Sequence, residues 1–404
     1  MKQLRVAMIA PPWLKIPTDG YGGVEVVIDE LVRSLVARGV HVEIFGVGKR
    51  HIHGCKVHAV TVKEEFSNIL KPMYDFALPV PCAHVLKALA MIEADGSFDI
   101  IHDHNYFIGP SLLSVSAGKG TIPPAIHTIH GPPLTPEKAV KDGVPDNRIF
   151  WKAIAGDHDC SFVSISDAMK RSMPKELADN LLPTVHNAVD VAQLPFVDRA
   201  GKKKYFITLA RFSEEKGQHT AVRLSAKLGY RLRMAGTVAT IDSQRRLMIE
   251  LANPLSKYRS DRDFRYYSDK ILPFVLRNPR ISYVGGIGGK KKLKFISQAR
   301  ALLFPIEWNE PFGMAVVEAL ACGTPVIAMN RGAMPEIIQH GVNGFLANDE
   351  KEFAEYMTRI DEIDPKACRQ SVEAQFSADR MASAYIERYQ EAIARHKARN
   401  NASK

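Results

Sequence analysis

Short apolar runs separated by stretches of helical period recur along the whole chain. In the first half they are Val6–Ala10, Val42–Val47, Ile100–His102, Ala125–His130 and Phe162–Ser166. In the second half they are Tyr205–Ala210, Leu232–Ala235, Ile281–Val284, Ala301–Phe304 and Pro325–Ala328. Runs this short and this apolar predict strands buried on both faces, and their alternation with helices predicts two doubly wound parallel sheets. The stretch Asp190–Lys204 carries Pro, Gly and a lysine run before a fresh strand begins, which marks a boundary. Residues 1–195 are thus expected to form one domain and 196–377 a second. Residues 240–280, charged and aromatic, predict a helical excursion on the second domain, and an amphipathic helix from Ala378 to about Arg395 closes the chain. No repeat of solenoid period is visible.

One stretch departs from plain scaffold. Glu310–Pro325, EPFGMAVVEALACGTP, follows the apolar run at 301–306. Pro311 and Gly313 break the strand pattern, Met314–Cys322 has helical period, and Gly323 supplies the stop before the next strand. The N–H groups of the first helical turn, near Gly313, Met314 and Ala315, would point into the crevice above the sheet and suit a diphosphate. Glu310 and Glu318 bracket that turn, roughly 12 Å apart if the whole span rose as helix. At that separation they do not share a proton, and each can accept vicinal hydroxyls of a different part of one ligand.

Other polar groups fall at predicted strand ends. Arg211 and Lys216, in LARFSEEKG, follow the first strand of the second domain, where two cations on one loop can neutralise a diphosphate. Gly20, Gly22 and Gly23 follow the first strand but do not make G-x-G-x-x-G, so an ordinary dinucleotide site is poorly supported. Glycines there still let the backbone approach a ligand closely. His102, Asp103 and His104 in IIHDH, with His127 and His130 in HTIHG, are all metal-ligand types. Successive side chains of a strand point to opposite faces, however, so His102, Asp103 and His104 do not converge and the set predicts no metal site. His127 reads as a sheet histidine and Glu336 as a residue complementing a helix start.

Composition narrows the class. With 404 residues, 46% hydrophobic and 24% charged, the chain has the make-up of a globular protein of two domains. No apolar run approaches the ~20 residues a bilayer span needs, and the N-terminal apolar stretch makes a better strand than a signal peptide. Five scattered cysteines without C-x-x-C are expected to be reduced thiols of a cytoplasmic protein. The net charge of +10 gathers at Lys202–Lys204, Lys290–Lys294 and the tail from Arg395. Solvated surface explains it most simply; contact with anionic lipid at the inner face of a membrane is a second reading. Nucleic acid is not expected, since no helix-turn-helix, zinc pattern or aromatic-laced basic stripe is present.

The spacing E-x7-E within EPFGMAVVEALACGTPVIA resembles the donor-binding motif of the retaining glycosyltransferases of family 4 (group 1), which have the GT-B fold. YGGVEVVIDELVRSL, IIHDH, HTIHG, VSISDAM, LPTVHNAVD, LARFSEEKG and VNGFL agree with it in the same order. The resemblance spans roughly Val6–Phe345 and implies two Rossmann-like domains facing across a cleft. It places acceptor binding in the first domain and the nucleotide sugar in the second, with the C-terminal helix, 378–404, crossing back to the first. It implies that Gly23 faces the donor phosphate and that Arg211 and Lys216 clamp the diphosphate. Glu310 would orient the sugar and Glu318 the ribose, with Phe312, Gly313, Met314 and Ala315 completing the donor site. His130 would reach the transferred sugar, and Asp103, His104 and Asn187 would line the acceptor side. Ala188 stands where the family's N-G-V-D turn has Gly.

The implied reaction is hexosyl transfer from a UDP- or GDP-linked sugar to a hydroxyl of a saccharide, lipid-linked or small-molecule acceptor, without cofactor or metal. No residue stands out as a nucleophile, so front-side substitution is the expected mechanism. The wording of YGGVE and FPIEWNEPFG points to a bacterial branch. Three alternatives are open: a sugar-nucleotide 2-epimerase of the same fold; a phosphorylase-like enzyme, for which no pyridoxal-phosphate lysine segment is found; and a basic membrane- or nucleic-acid-binding protein.

Overall fold

The computed structural model describes residues 3–18, 22–66, 78–117, 120–156 and 159–402. Gly20 and residues 67–77 lie outside the described residues. The chain divides into two compact units, Met1–Ala188 with Ala378–Lys404, and Val189–Ser377.

The first unit holds a seven-stranded sheet of β1 (Arg5–Ile9), β2 (His41–Val47), β3 (Arg50–Ile52), β4 (Cys55–Thr61), β5 (Ile100–Asp103), β6 (Ala125–Ile129) and β7 (Cys160–Ser164), in the order β3-β4-β2-β1-β5-β6-β7. β1 pairs in parallel with β2 and β5, and β6 with β5 and β7, so the central strands are buried throughout, as their apolar runs require. β3 and β4 were not legible as strands. They form an antiparallel hairpin whose two turn residues, His53 (φ 50°) and Gly54 (φ 81°), both take left-handed backbone. That is the turn geometry whose twist matches a hairpin, here with His in the place Asn or Asp usually fills.

The last helix, Ala378–Ala402, packs on the helix Gly23–Ala37 of this unit. It buries Tyr385 and Tyr389, whose hydroxyls meet Thr128 Oγ1 and His102 Nδ1 at 2.8 and 2.7 Å. His84, on the helix Pro79–Asp95, is held inside the same unit. Its Nε2 donates to the Ala10 carbonyl at 2.9 Å, which leaves Nδ1 to accept from Thr61 Oγ1 at 2.7 Å. Burial pulls its pKa down to about 4 from an ordinary 6.5. The folded state therefore binds fewer protons than the unfolded chain below pH 6.5, and stability is lost as the pH falls from 6.5 towards 4, by about 3 kcal/mol at most. His102, His104 and His130 are shifted in the same direction by burial. Denaturant titrations should show a shallower acid limb for His84→Gln than for the wild type; parallel limbs would assign the loss to the other histidines.

The second unit carries β8 (Phe206–Leu209), β9 (Leu232–Ala235), β10 (Ile281–Tyr283), β11 (Ala301–Phe304), β12 (Val326–Met329) and β13 (Gly344–Ala347), parallel, in the order β10-β9-β8-β11-β12-β13. β13 was hidden by the turn-like composition around Asn343 and Gly344. Gly344 is needed because a Cβ there would lie 2.2 Å from the Val326 carbonyl oxygen of β12. The charged excursion forms the helices Gln244–Ala252, Arg262–Tyr266 and Leu272–Arg277, the last two joined by a π-helical turn at Tyr267–Ile271. The boundary stretch after Val189 is laid along the second unit. Arg369 donates to the carbonyls of Val191 and Leu194, each at 2.8 Å, and Lys202 Nζ to Ser297 O at 2.8 Å and Thr324 Oγ1 at 2.7 Å. All five cysteines are free thiols. Among the described residues no helix is long and apolar enough to cross a membrane.

Candidate active site

β8 and β11 are neighbours in the second sheet, so the loops leaving their carboxyl ends meet. The β8 loop carries Arg211 and Lys216 and ends on Gly217 (φ +66°), where a Cβ would lie 1.8 Å from the Pro305 carbonyl oxygen. Only glycine permits that approach, and the Glu307 N–H, donating to Glu215 O at 2.9 Å, ties the two loops together. The contact brings Lys216 onto Glu310: its Nζ lies 2.6 Å from Oε2, and the Trp308 indole N–H donates to the same oxygen at 2.9 Å. The ammonium also sits 4.6 Å from the centre of the Trp308 ring.

Behind Glu310 the chain crosses itself. The Glu310 carbonyl accepts from the Ala333 N–H at 2.9 Å, and a Cβ on Gly332 would lie 2.4 Å from both Glu310 N and O. Gly313, in left-handed backbone, then opens the helix Met314–Ala321. By helix geometry the amides of Met314 and Ala315 have no intrahelical acceptor, whereas the Val316 N–H donates to the Gly313 carbonyl at 2.9 Å. Phe312 is buried and packs edge-on against Phe376. Glu318 is buried in this helix and takes Lys292 Nζ on Oε1 at 2.7 Å.

Arg211 is engaged by two carboxylates. Its Nη2 donates to Glu215 Oε1 at 2.8 Å and its Nη1 to Asp263 Oδ2. Lys292, Trp308, Glu215 and Asp263 were missed in the sequence. Lys292 was visible there only as one member of a lysine run, and Asp263 sits about fifty residues from the arginine it meets.

In the first unit, Gly22 and Gly23 differ. A Cβ on Gly22 would meet Thr18 Cγ2 at 2.7 Å, whereas one on Gly23, at the start of its helix, would meet no atom of the described residues within 4 Å. Glu25, in the same turn, is buried, and desolvation raises its pKa.

His104 and His130 share a hydrogen bond, Nδ1 to Nε2, at 2.8 Å, and His104 Nε2 lies 3.0 Å from Met8 Sδ. Burial holds both imidazoles well below their ordinary pKa, so both are neutral near pH 7. His130 keeps partial exposure at the end of β6. Asp103 differs from the expectation of an acceptor-side residue, because it is wholly buried. Its Oδ2 takes His127 Nδ1 at 2.6 Å and the Asn105 N–H at 3.1 Å, and Oδ1 takes Asn105 Nδ2 at 2.9 Å. Asn187 is also buried, with no hydrogen-bond partner for Oδ1 among the described residues. Among the described residues only His53 and Ala239 are non-glycines with positive φ, so Ala188 sits in ordinary backbone and its turn does not need Gly.

Residues 192–375 match the family described as glycosyl transferases group 1, and residues 21–193 match glycosyltransferase family 4. The D-inositol 3-phosphate glycosyltransferases of Mycobacterium tuberculosis and Mycobacterium bovis are 25% identical over 389 residues, covering 89% of this chain and 75% of theirs. The structure of sucrose-phosphate synthase from Thermosynechococcus elongatus superposes with a TM-score of 0.70 at 22% identity, over 97% of this chain and all of that one. Anabaena HepE in complex with UDP-glucose gives 0.64 at 16% identity, over 96% of this chain and all of that one. These likenesses establish the GT-B fold for the two parallel-sheet units, and the two consecutive family matches place the chain among the group 1, family 4 glycosyltransferases.

Proposed function

We propose that the chain transfers a hexosyl group from a UDP- or GDP-linked sugar to an acceptor hydroxyl, with retention of anomeric configuration. The observation that carries this reading is the Lys216–Glu310–Trp308 cluster at the carboxyl ends of β8 and β11, beside the amides at Met314 and Ala315. A diphosphate on those amides would draw on Arg211 and Lys216 as charge develops on the leaving phosphate. Lys216 and Trp308 both use Oε2 of Glu310, so Oε1 is the oxygen for sugar hydroxyls. Glu318 would accept the ribose hydroxyls, with Lys292 fixing its carboxylate. Since these cations carry the diphosphate charge, no divalent metal or cofactor is required. The UDP-glucose bound by HepE supports a nucleotide-sugar donor.

The first unit would hold the acceptor, with Gly23 at the donor phosphate and His130 at the transferred sugar. His104 orients His130 through their shared hydrogen bond, and Asp103 acts one layer further in. No residue stands out in the sequence as a nucleophile, and the reaction is read as front-side: the leaving phosphate takes the acceptor proton as the new glycosidic bond forms. Past the end of β7 lies a pocket of about 440 Å³ lined by Lys170, Arg171 and Lys175 against the single carboxylate of Asp167, with Met173, Pro174, Ala178 and Leu181. Its charge suits an anionic acceptor, and the mycobacterial relatives are named for an inositol phosphate. The reading places the enzyme in the cytoplasm, and the +10 charge leaves peripheral contact with anionic lipid open. The family match favours transfer over the epimerase and binding-protein alternatives.

A thermal-shift screen with UDP-, GDP-, ADP- and dTDP-sugars, with and without EDTA, tests this. A ligand at ~100 times its dissociation constant should add about 2.7 kcal/mol of stability. One nucleotide standing out, unaffected by EDTA, is the expected result. A flat response to all four would overturn the donor site, and a shift abolished by EDTA would overturn metal independence.

A further inference from the structure

The helical excursion of the second unit is fastened to the loop that carries Arg211 and Lys216. Arg262 pairs with Glu214 at 2.9 Å, and the Tyr266 hydroxyl accepts from the His219 N–H at 3.0 Å just past Gly217. Tyr267, in the π-helical turn, packs edge-on against Phe212, next to Arg211. Asp263 adds the contact with chemical consequence: its carboxylate takes Nη1 of Arg211, while Glu215 takes Nη2. The arginine side chain is 43% exposed and Asp263 only 17%. The exposed partner can therefore swing while the anchored one stays.

Counting charges shows what this does. Arg211 (+1) is met by Glu215 and Asp263 (−2 together), while Lys216 and Lys292 are each balanced by one glutamate. A ligand carrying a diphosphate thus meets cations already matched, and a phosphate drawn to Arg211 is opposed by the two carboxylates that share its guanidinium. Glu215 lies on the same loop as Arg211 and moves with it. Asp263 belongs to a separate helix, Arg262–Tyr266, fixed by the Asp261 cap at its start.

We propose that Asp263 is a positioning residue of the donor site, an exchangeable counter-ion that holds Arg211 when the site is empty and yields it to the diphosphate. The proposal rests on the donor reading of Arg211. In Asp263→Asn the amide keeps the shape without the charge, and Glu215 still holds the arginine. The affinity for a nucleoside diphosphate should then rise by about threefold to tenfold, because binding no longer breaks a charged pair. Burial raises the pKa of Asp263 despite the neighbouring arginine, so the same gain should emerge in the wild type as the pH is lowered.

The experiment is calorimetric titration of UDP and GDP into wild type, D263N, D263E, R211A and the double variant R211A/D263N, with D263S should the Asn variant not fold. Tighter binding in D263N, reversal in D263E and no effect of D263N in the R211A background are expected. Unchanged or weaker binding in D263N, or an effect that persists without Arg211, would overturn the counter-ion role. A wild type that binds neither nucleotide would instead overturn the donor reading beneath it.

Discussion

Replacing Glu310 by Gln is expected to lower turnover by about 100-fold or more while leaving the fold intact. The carboxylate is held between the Lys216 ammonium at 2.6 Å and the Trp308 indole at 2.9 Å. Glutamine fills the same volume and can still accept from Trp308, so packing is kept. The backbone crossing at Gly332 uses the Glu310 main chain and does not depend on the side chain. What is lost is negative charge beside the sugar, where the front-side transition state develops positive charge at the anomeric carbon. Lys216, no longer balanced, is freer to meet a phosphate, so nucleotide affinity should stay the same or increase. The expected signature is a fall in kcat without a rise in the dissociation constant, read by nucleotide release and calorimetry. Turnover at the wild-type rate would refute the assigned role.

The pieces legible in the sequence were those whose chemistry is local. Apolar runs marked all the central strands, because a strand buried on both faces is built mostly of apolar residues. The turn at Gly313 and the helix after it were legible because strand, breaker and helical period lie within twenty residues. The hairpin at β3–β4 escaped because alternation such as KVHAV is weak and the turn uses His53 where the familiar signal has Asn or Asp. The ion pairs of the site escaped for a different reason. Lys216 meets Glu310 across 94 positions and Arg211 meets Asp263 across 52. Such pairs depend on which strands are neighbours, and nothing in the local sequence records that β8 lies against β11. The glycines that permit the crossing, Gly217 and Gly332, are likewise explained only by backbone atoms contributed from elsewhere in the chain.

Asp103 is the sharpest case of position without context, and its substitution should be the most damaging to the fold. The family resemblance implied that it faces the acceptor. In the structure it lies opposite His127 in the register of β5 and β6, with hydrogen bonds from His127 and Asn105 and no exposed surface. A Cβ on Gly109 would lie 1.8 Å from its Oδ2, so the helix Ile108–Ala117 can start there only because that position is glycine. Asp103→Ala removes the partner of a buried imidazole and leaves a cavity, with the Asn105 N–H unmatched as well and its Nδ2 left only the Ile9 carbonyl. The expected loss is about 3 to 5 kcal/mol, measured by denaturant unfolding. Asp103→Asn keeps an acceptor for His127 and should lose less. An Asp103→Ala protein of unchanged stability but altered acceptor KM would return the residue to the acceptor surface. Loss of stability, with the nucleotide affinity of the remaining folded protein unchanged, would confirm that Asp103 serves the sheet on which His104 and His130 stand.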